Sequence, residues 1–152
     1  MNKPNNSQEV LIGLLKDKLS DTSGDLLIPP PVFEAMGGEV LALDMVEKEL
    51  KIKFPVKYEY LNPFGNMQGG MIAAVIDNTL GPLSMAAGPL NYTRHFEVKY
   101  IKTIPHETEC IFVIGKLIEK KRRQLFFTAS VTDEAGVVFA QAKSIHWIVS
   151  KD

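Results

Sequence analysis

Between Asn62 and Gly81 the chain reads NPFGNMQGGMIAAVIDNTLG, and Asp77 is the one charged side chain in that stretch. No charge of either sign stands between Glu59 and Arg94 apart from it, so no neighbour in the sequence can neutralise the carboxylate. Burying a lone carboxylate costs several kcal/mol, roughly. The pattern therefore predicts a capping or cross-sheet hydrogen-bonding role, or a place on a cleft where the carboxylate meets a ligand. Eight positions earlier stands Gly69, flanked by Gln68 and Gly70. First-turn amides of a helix lack intrahelical partners and carry partial positive charge. Two glycines let an oxyanion come close enough to use them. A Gly-Gly pair also serves as a plain loop-to-helix turn, and it is Asn62, Gln68 and Asp77 around the pair that favour chemistry. Eight helical residues span about 12 Å, too far for the Gly69 amide and the Asp77 carboxylate to act on one carbonyl carbon. If both serve one reaction, they come from two copies of the chain related by a two-fold axis.

These residues need a helix to carry them. From Gln68 to about Ala87, Met71, Ile72, Ala74, Val75, Ile76, Leu80, Leu83, Met85 and Ala86 point in nearly every direction, which predicts a helix buried on all sides and wrapped by a sheet. Pro82 removes one helical hydrogen bond and predicts a kink or early break. Strands are expected at Val40 to Val46 and Glu49 to Pro55, with Glu47-Lys48 as the turn, and then at Tyr92 to Tyr100, Thr108 to Glu119, Gln124 to Thr132 and Val137 to Val149. On the last of these, Ala140, Ala142 and Ser144 form a small-residue face. Ser7 to Leu19 reads as a short amphipathic helix, and the proline-rich run from Ile28 to Glu39 holds a single turn at Val32 to Met36. Residues 1–38 thus form an N-terminal helix and connection, and 39–152 the α+β domain.

The 152 residues suit one domain, and a net charge of −1 gives no global attraction to nucleic acid or an anionic membrane. The single cysteine, Cys110, permits no intrachain disulfide and no zinc spacing, which fits a reducing, cytoplasmic setting; it reads as a buried strand residue. The apolar VLIGLL run near the N-terminus is followed at once by Lys16, Asp17 and Lys18 and does not read as a secretory signal.

The series Asn62, Gln68, Gly69, Gly70 and Asp77 on a central helix, followed by four strands beginning with YTRHFEVKY, resembles the hotdog-fold acyl-CoA thioesterases of the phenylacetyl-CoA and 4-hydroxybenzoyl-CoA type. The resemblance covers Glu39 to Val149. It implies a curved antiparallel sheet around one long helix, homodimers that pair into tetramers, and hydrolysis of acyl-CoA without a metal or a separate cofactor. By position, the Gly69 amide binds the thioester oxygen, Asn62 helps hold it, Asp77 of the facing subunit acts as base or nucleophile, and Thr93 orients Asp77 or the water. Gln68 stands where the family usually has histidine; it can donate a hydrogen bond but cannot carry a proton away.

The remaining assignments are weaker in kind. Gly70 lies beside the oxyanion amide. Phe64 and Met71, with Leu61, Ile72, Phe33 and Met36, are available to line an acyl slot, though core packing uses such residues equally. His95 lies two positions beyond Thr93, so a regular strand would put both on one face; such a histidine is more often structural. His106 and His146 read as structural. Arg122 and Arg123 could grip coenzyme A phosphates, although a charged hairpin turn is ordinarily just solvated. Two other functions fit the same residues: an acyl-thioester dehydratase or hydratase, which wants a histidine beside the acid, and a non-catalytic acyl-CoA binder, which the loss of histidine at Gln68 favours.

Overall fold

A computed structural model describes residues 6–22 and 24–149. Helices α1 (Ser7–Leu19), α2 (Pro31–Met36) and α3 (Gly69–Ala87) combine with strands β1 (Glu39–Asp44), β2 (Glu49–Pro55), β3 (Asn91–Tyr100), β4 (Cys110–Lys121), β5 (Gln124–Thr132) and β6 (Val138–Ile148). The strands form one sheet in the order β1-β2-β4-β5-β6-β3, and every neighbouring pair is antiparallel. This is the hotdog arrangement, a sheet curved around one helix.

Alternation of side chains builds the core. β2, β4 and β5 bury every second residue, among them Leu50, Ile52, Phe54, Ile111, Val113, Leu125, Phe127 and Val131. These meet Ile72, Val75, Ile76, Leu80 and Leu83 of α3 in one cluster. Each such side chain contributes about 1.5–3 kcal/mol when fully buried, so the helix is held by the sheet rather than by its own propensity. At Gly115 on β4 the two layers nearly touch: a Cβ there would lie 2.7 Å from the Leu80 side chain. Leu11 and Leu15 of α1 join the same core, and Lys18 donates from Nζ to the Gly88 carbonyl at 3.1 Å, a cation on the carbonyl end of α3.

Several expectations are corrected. α3 is not covered on all sides: Gly70 and Asp77 are exposed, and Ala73 and Gly81 half-buried. Their three- and four-residue spacing makes one open stripe along the helix. Pro82 lies inside α3, which continues unbroken to Ala87. The first strand ends at Asp44 because its Oδ1 accepts from the Val46 and Glu47 amides at 2.9 Å and starts the turn early. A single 3-10 turn takes His106–Thr108, so β4 begins at Cys110, which is half-buried rather than buried.

Candidate active site

The loop entering α3 is shaped by Asn62. Its Oδ1 accepts from the Phe64 amide at 3.0 Å and the Asn66 amide at 3.1 Å, while the Gln68 amide donates to the Tyr60 carbonyl at 2.7 Å. The Asn62 oxygen is therefore committed to the loop, and its Nδ2 is what it can offer a ligand. Gln68 is the N-cap of α3; its side chain is exposed and makes no capping bond. The Gln68 carbonyl takes the amides of Met71 and Ile72. Among the described residues no backbone acceptor meets the Gly69 or Gly70 amide, so two donors are open at the positive end of the helix. Tyr100 closes one flank: its hydroxyl donates to the Gly69 carbonyl at 2.8 Å, and its ring lies 3.3 Å from where a Gly69 Cβ would be. Over Gly70 there is open space.

Two turns further along, Asp77 projects from the open stripe. Thr93 at the start of β3 donates from Oγ1 to Asp77 Oδ1 at 3.4 Å, and the same hydroxyl lies 3.5 Å from Nε2 of His146. Both separations are long for hydroxyl hydrogen bonds. Behind them the chain is tight. Asn91 donates from Nδ2 to the Ser84 carbonyl at 3.1 Å and the Pro89 carbonyl at 2.8 Å. Its oxygen is thereby turned to His146 Nδ1 at 2.9 Å, which assigns the ring proton to Nδ1 and leaves Nε2 an acceptor.

His146 is 1% exposed and packs on the Phe127 ring. Burial pushes its pKa down to about 4, so the ring is neutral at pH 7. The Thr93 hydroxyl has one hydrogen and two acceptors. It can donate to the Asp77 carboxylate, or, once Asp77 has taken a proton and donates to Oγ1, turn to Nε2. His146 thus stands behind Thr93 with Nε2 as an acceptor.

Its depressed pKa also ties stability to pH. Between about 4 and the unfolded value near 6.5 the unfolded chain binds more protons than the fold, so stability rises with pH in that window and is fully present above it. Denaturant unfolding should lose roughly 3 kcal/mol on acidification from pH 7 to 4 through this group. In His146→Gln that part of the loss should vanish.

The other candidates divide. A β-bulge in the β3–β6 register lies between Thr93 and His95: Thr93 pairs with the buried His146, and His95 with Ile145 on the opposite face. The extra residue shifts the alternation, so Phe96, Val98 and Tyr100 turn inward and His95 turns away from Asp77. Arg123 donates from Nε and Nη2 to the Ile148 carbonyl at 3.3 and 3.1 Å, tying the β4–β5 turn to the end of β6; Arg122, in the same turn, is exposed at a φ of 52°. Phe64 is 86% exposed, Met71 is half-buried against the core, and Phe33, Met36 and Ile72 are core residues. None of these lines the cavity of about 350 Å³ that opens beside Asp77, whose walls include Thr93, Tyr92, Asn91 and His146. Sequence reasoning read His146 as structural, which its burial fits, and did not place it or Asn91 beside Asp77. One signal was present: His146 lies at even spacing with Ala142 and Ser144, on the face meant to be buried.

Among the described residues no group of three or more His, Cys, Asp or Glu is arranged to hold a metal ion, and no helix is long and apolar enough to cross a membrane.

No protein-family model and no curated protein matches the chain. Solved structures do. A phenylacetic acid degradation-related protein from Ralstonia eutropha aligns over 89% of this chain and 99% of its own, with a TM-score of 0.74 at 20% identity. The phenylacetic acid degradation protein PaaI from Thermus thermophilus aligns over 78% of this chain and 99% of its own, with a TM-score of 0.70 at 21% identity. A Streptococcus mutans protein bound to acetyl-CoA aligns over 75% of this chain and 90% of its own, with a TM-score of 0.68 at 18% identity. Several structural neighbours are described as hypothetical thioesterases or as phenylacetic acid degradation proteins, and at these identities the likeness establishes the fold.

Proposed function

We propose that the chain hydrolyses acyl-CoA thioesters to a free acid and coenzyme A, at sites shared between two subunits. The observation that carries this reading is how β3 is tied to α3. Thr93, near one end of the strand, reaches Asp77, and Tyr100, at the other end, holds Gly69. β3 is a sheet edge ten residues long, with one row of backbone groups open to a further strand. Antiparallel pairing of two such edges about a two-fold axis lays the Thr93 end of one strand along the Tyr100 end of the other. Asp77 then faces Gly69 of the partner subunit, and the roughly 12 Å separation within one helix is no longer an obstacle.

In that arrangement the open amides at the start of one α3 receive the thioester oxygen, where negative charge develops. Gln68 adds a donor. The partner subunit's Asp77 takes a proton from the attacking water or attacks the carbonyl itself. Thr93 and, behind it, His146 hold that carboxylate. Thiols have a pKa near 8.5, so coenzyme A leaves as a thiolate and needs no dedicated acid. Gln68, unable to carry a proton, is therefore compatible with turnover. Structural neighbours crystallised with coenzyme A or acetyl-CoA support the ligand class.

A dehydratase or hydratase reading loses its best support, because His95 lies on the far face of β3. The test is free-thiol release from a panel of acyl-CoA thioesters. Release from at least one is the expected result; binding of every substrate without release would instead mark a non-catalytic acyl-CoA binder.

A further inference from the structure

We infer that the N-terminal segment forms one wall of an acyl subsite, and that the preferred substrates carry an uncharged aliphatic acyl group of intermediate length. The inference rests on the thioesterase reading only for which molecule delivers the acyl group. The cavity beside Asp77 has Leu19, Leu26, Leu27 and Val32 on the N-terminal side and Thr93 opposite. Leu26, Leu27 and Val32 are 44%, 67% and 52% exposed, so they cover the cavity while remaining unburied themselves. Water contact on so many large aliphatics clustered at one mouth is unfavourable, and an apolar guest removes it.

Charge narrows the guest. Among the described residues Asp77 is the one charged side chain lining the cavity, so none of them would pair with a carboxylate on a dicarboxylic acyl group, and such a group would meet a like charge. Hydroxylated aromatic groups are disfavoured at the N-terminal wall, whose side chains Leu19, Leu26, Leu27 and Val32 are aliphatic. Size narrows it further. About 350 Å³ lies at the small end of the ~300–1,000 Å³ of ligand sites and cannot take whole coenzyme A. At the ~30 Å³ a water claims in the liquid, it holds on the order of ten non-hydrogen atoms. PaaI, matched over 99% of its own chain, leaves about a fifth of this one without a counterpart.

The test uses straight-chain acyl-CoAs from acetyl to palmitoyl, with succinyl- and 4-hydroxybenzoyl-CoA as contrasts. kcat/KM should rise with chain length by up to about fourfold per added methylene, the ratio that ~0.8 kcal/mol per fully buried CH2 implies, and level off before palmitoyl. In Leu27→Asp the decanoyl-to-acetyl ratio should fall at least tenfold. Calorimetric binding of a non-hydrolysable decanoyl-CoA thioether, against coenzyme A alone, gives the same comparison without turnover. If the thioether binds more tightly than coenzyme A in the parent and loses that margin in Leu27→Asp, the subsite stands even where no thiol is released. Three results would overturn it: a flat chain-length profile, preference for succinyl- or 4-hydroxybenzoyl-CoA, or sedimentation showing that Leu27→Asp dissociates the parent dimer. The last would mean that a second copy covers this wall.

Discussion

Asp77→Asn should lower kcat for thiol release by about 10³-fold, in the range measured when a general base is removed, and leave KM within a few-fold. The carboxylate is exposed in the protomer, on the open stripe of α3, and its hydrogen-bond partner is Thr93 at 3.4 Å. An amide keeps the shape and can still meet the Thr93 hydroxyl, so unfolding stability should change by no more than about 0.5 kcal/mol, as at other exposed positions. What the amide cannot do is accept a proton from water or attack a carbonyl. Thiol release at the parental rate from a folded Asp77→Asn protein would remove Asp77 from the reaction. A large fall in melting temperature would assign it a structural role instead.

The second large effect is expected at the oxyanion donors. Gly69 is the first residue of α3, where proline is tolerated because the missing N–H has no helical partner. Gln68 before it has φ −59° and ψ 136°, the extended conformation that proline imposes on its predecessor. Gly69→Pro therefore deletes one amide hydrogen while sparing the helix, at the cost of a small shift of the Tyr100 ring. Loss of one oxyanion donor typically lowers kcat by 10²–10³, and that is the result expected here. Gly69→Ala is the control: it keeps the amide, meets the same ring, and should retain most of the activity.

How far these residues were visible in the sequence depends on which physical constraint governs each. The separation of Gly69 and Asp77 was legible because helical rise is fixed, and the same arithmetic calls for two subunits if both serve one reaction. The sheet was legible because β2, β4 and β5 bury alternate residues with few interruptions. The Asp77–Thr93–His146–Asn91 chain was not. It depends on a one-residue bulge after Thr93, which has no signature in YTRHFEVKY and reverses the facing of His95. It also depends on Ser84 and Pro89 carbonyls that orient Asn91 from another element. The exposed face of α3 was missed for a related reason: its small residues read as apolar, and periodicity cannot tell a helix wrapped on all sides from one left open along a stripe of Gly70, Ala73 and Gly81. Pro82 did not end the helix early, because local propensity was outweighed by packing of Leu80 and Leu83 against the sheet.

Mixing two inactive variants tests the shared site most directly. Asp77→Asn and Gly69→Pro are each expected to be nearly inactive alone. If the carboxylate of one subunit serves the amide of the other, a heterodimer of the two holds one site with both defects and one with neither. Random exchange at equal concentrations makes half the dimers mixed, so the mixture should recover about a quarter of parental thiol release. A mixture that stays inactive, although mass measurement shows that subunits have exchanged, would contradict the account.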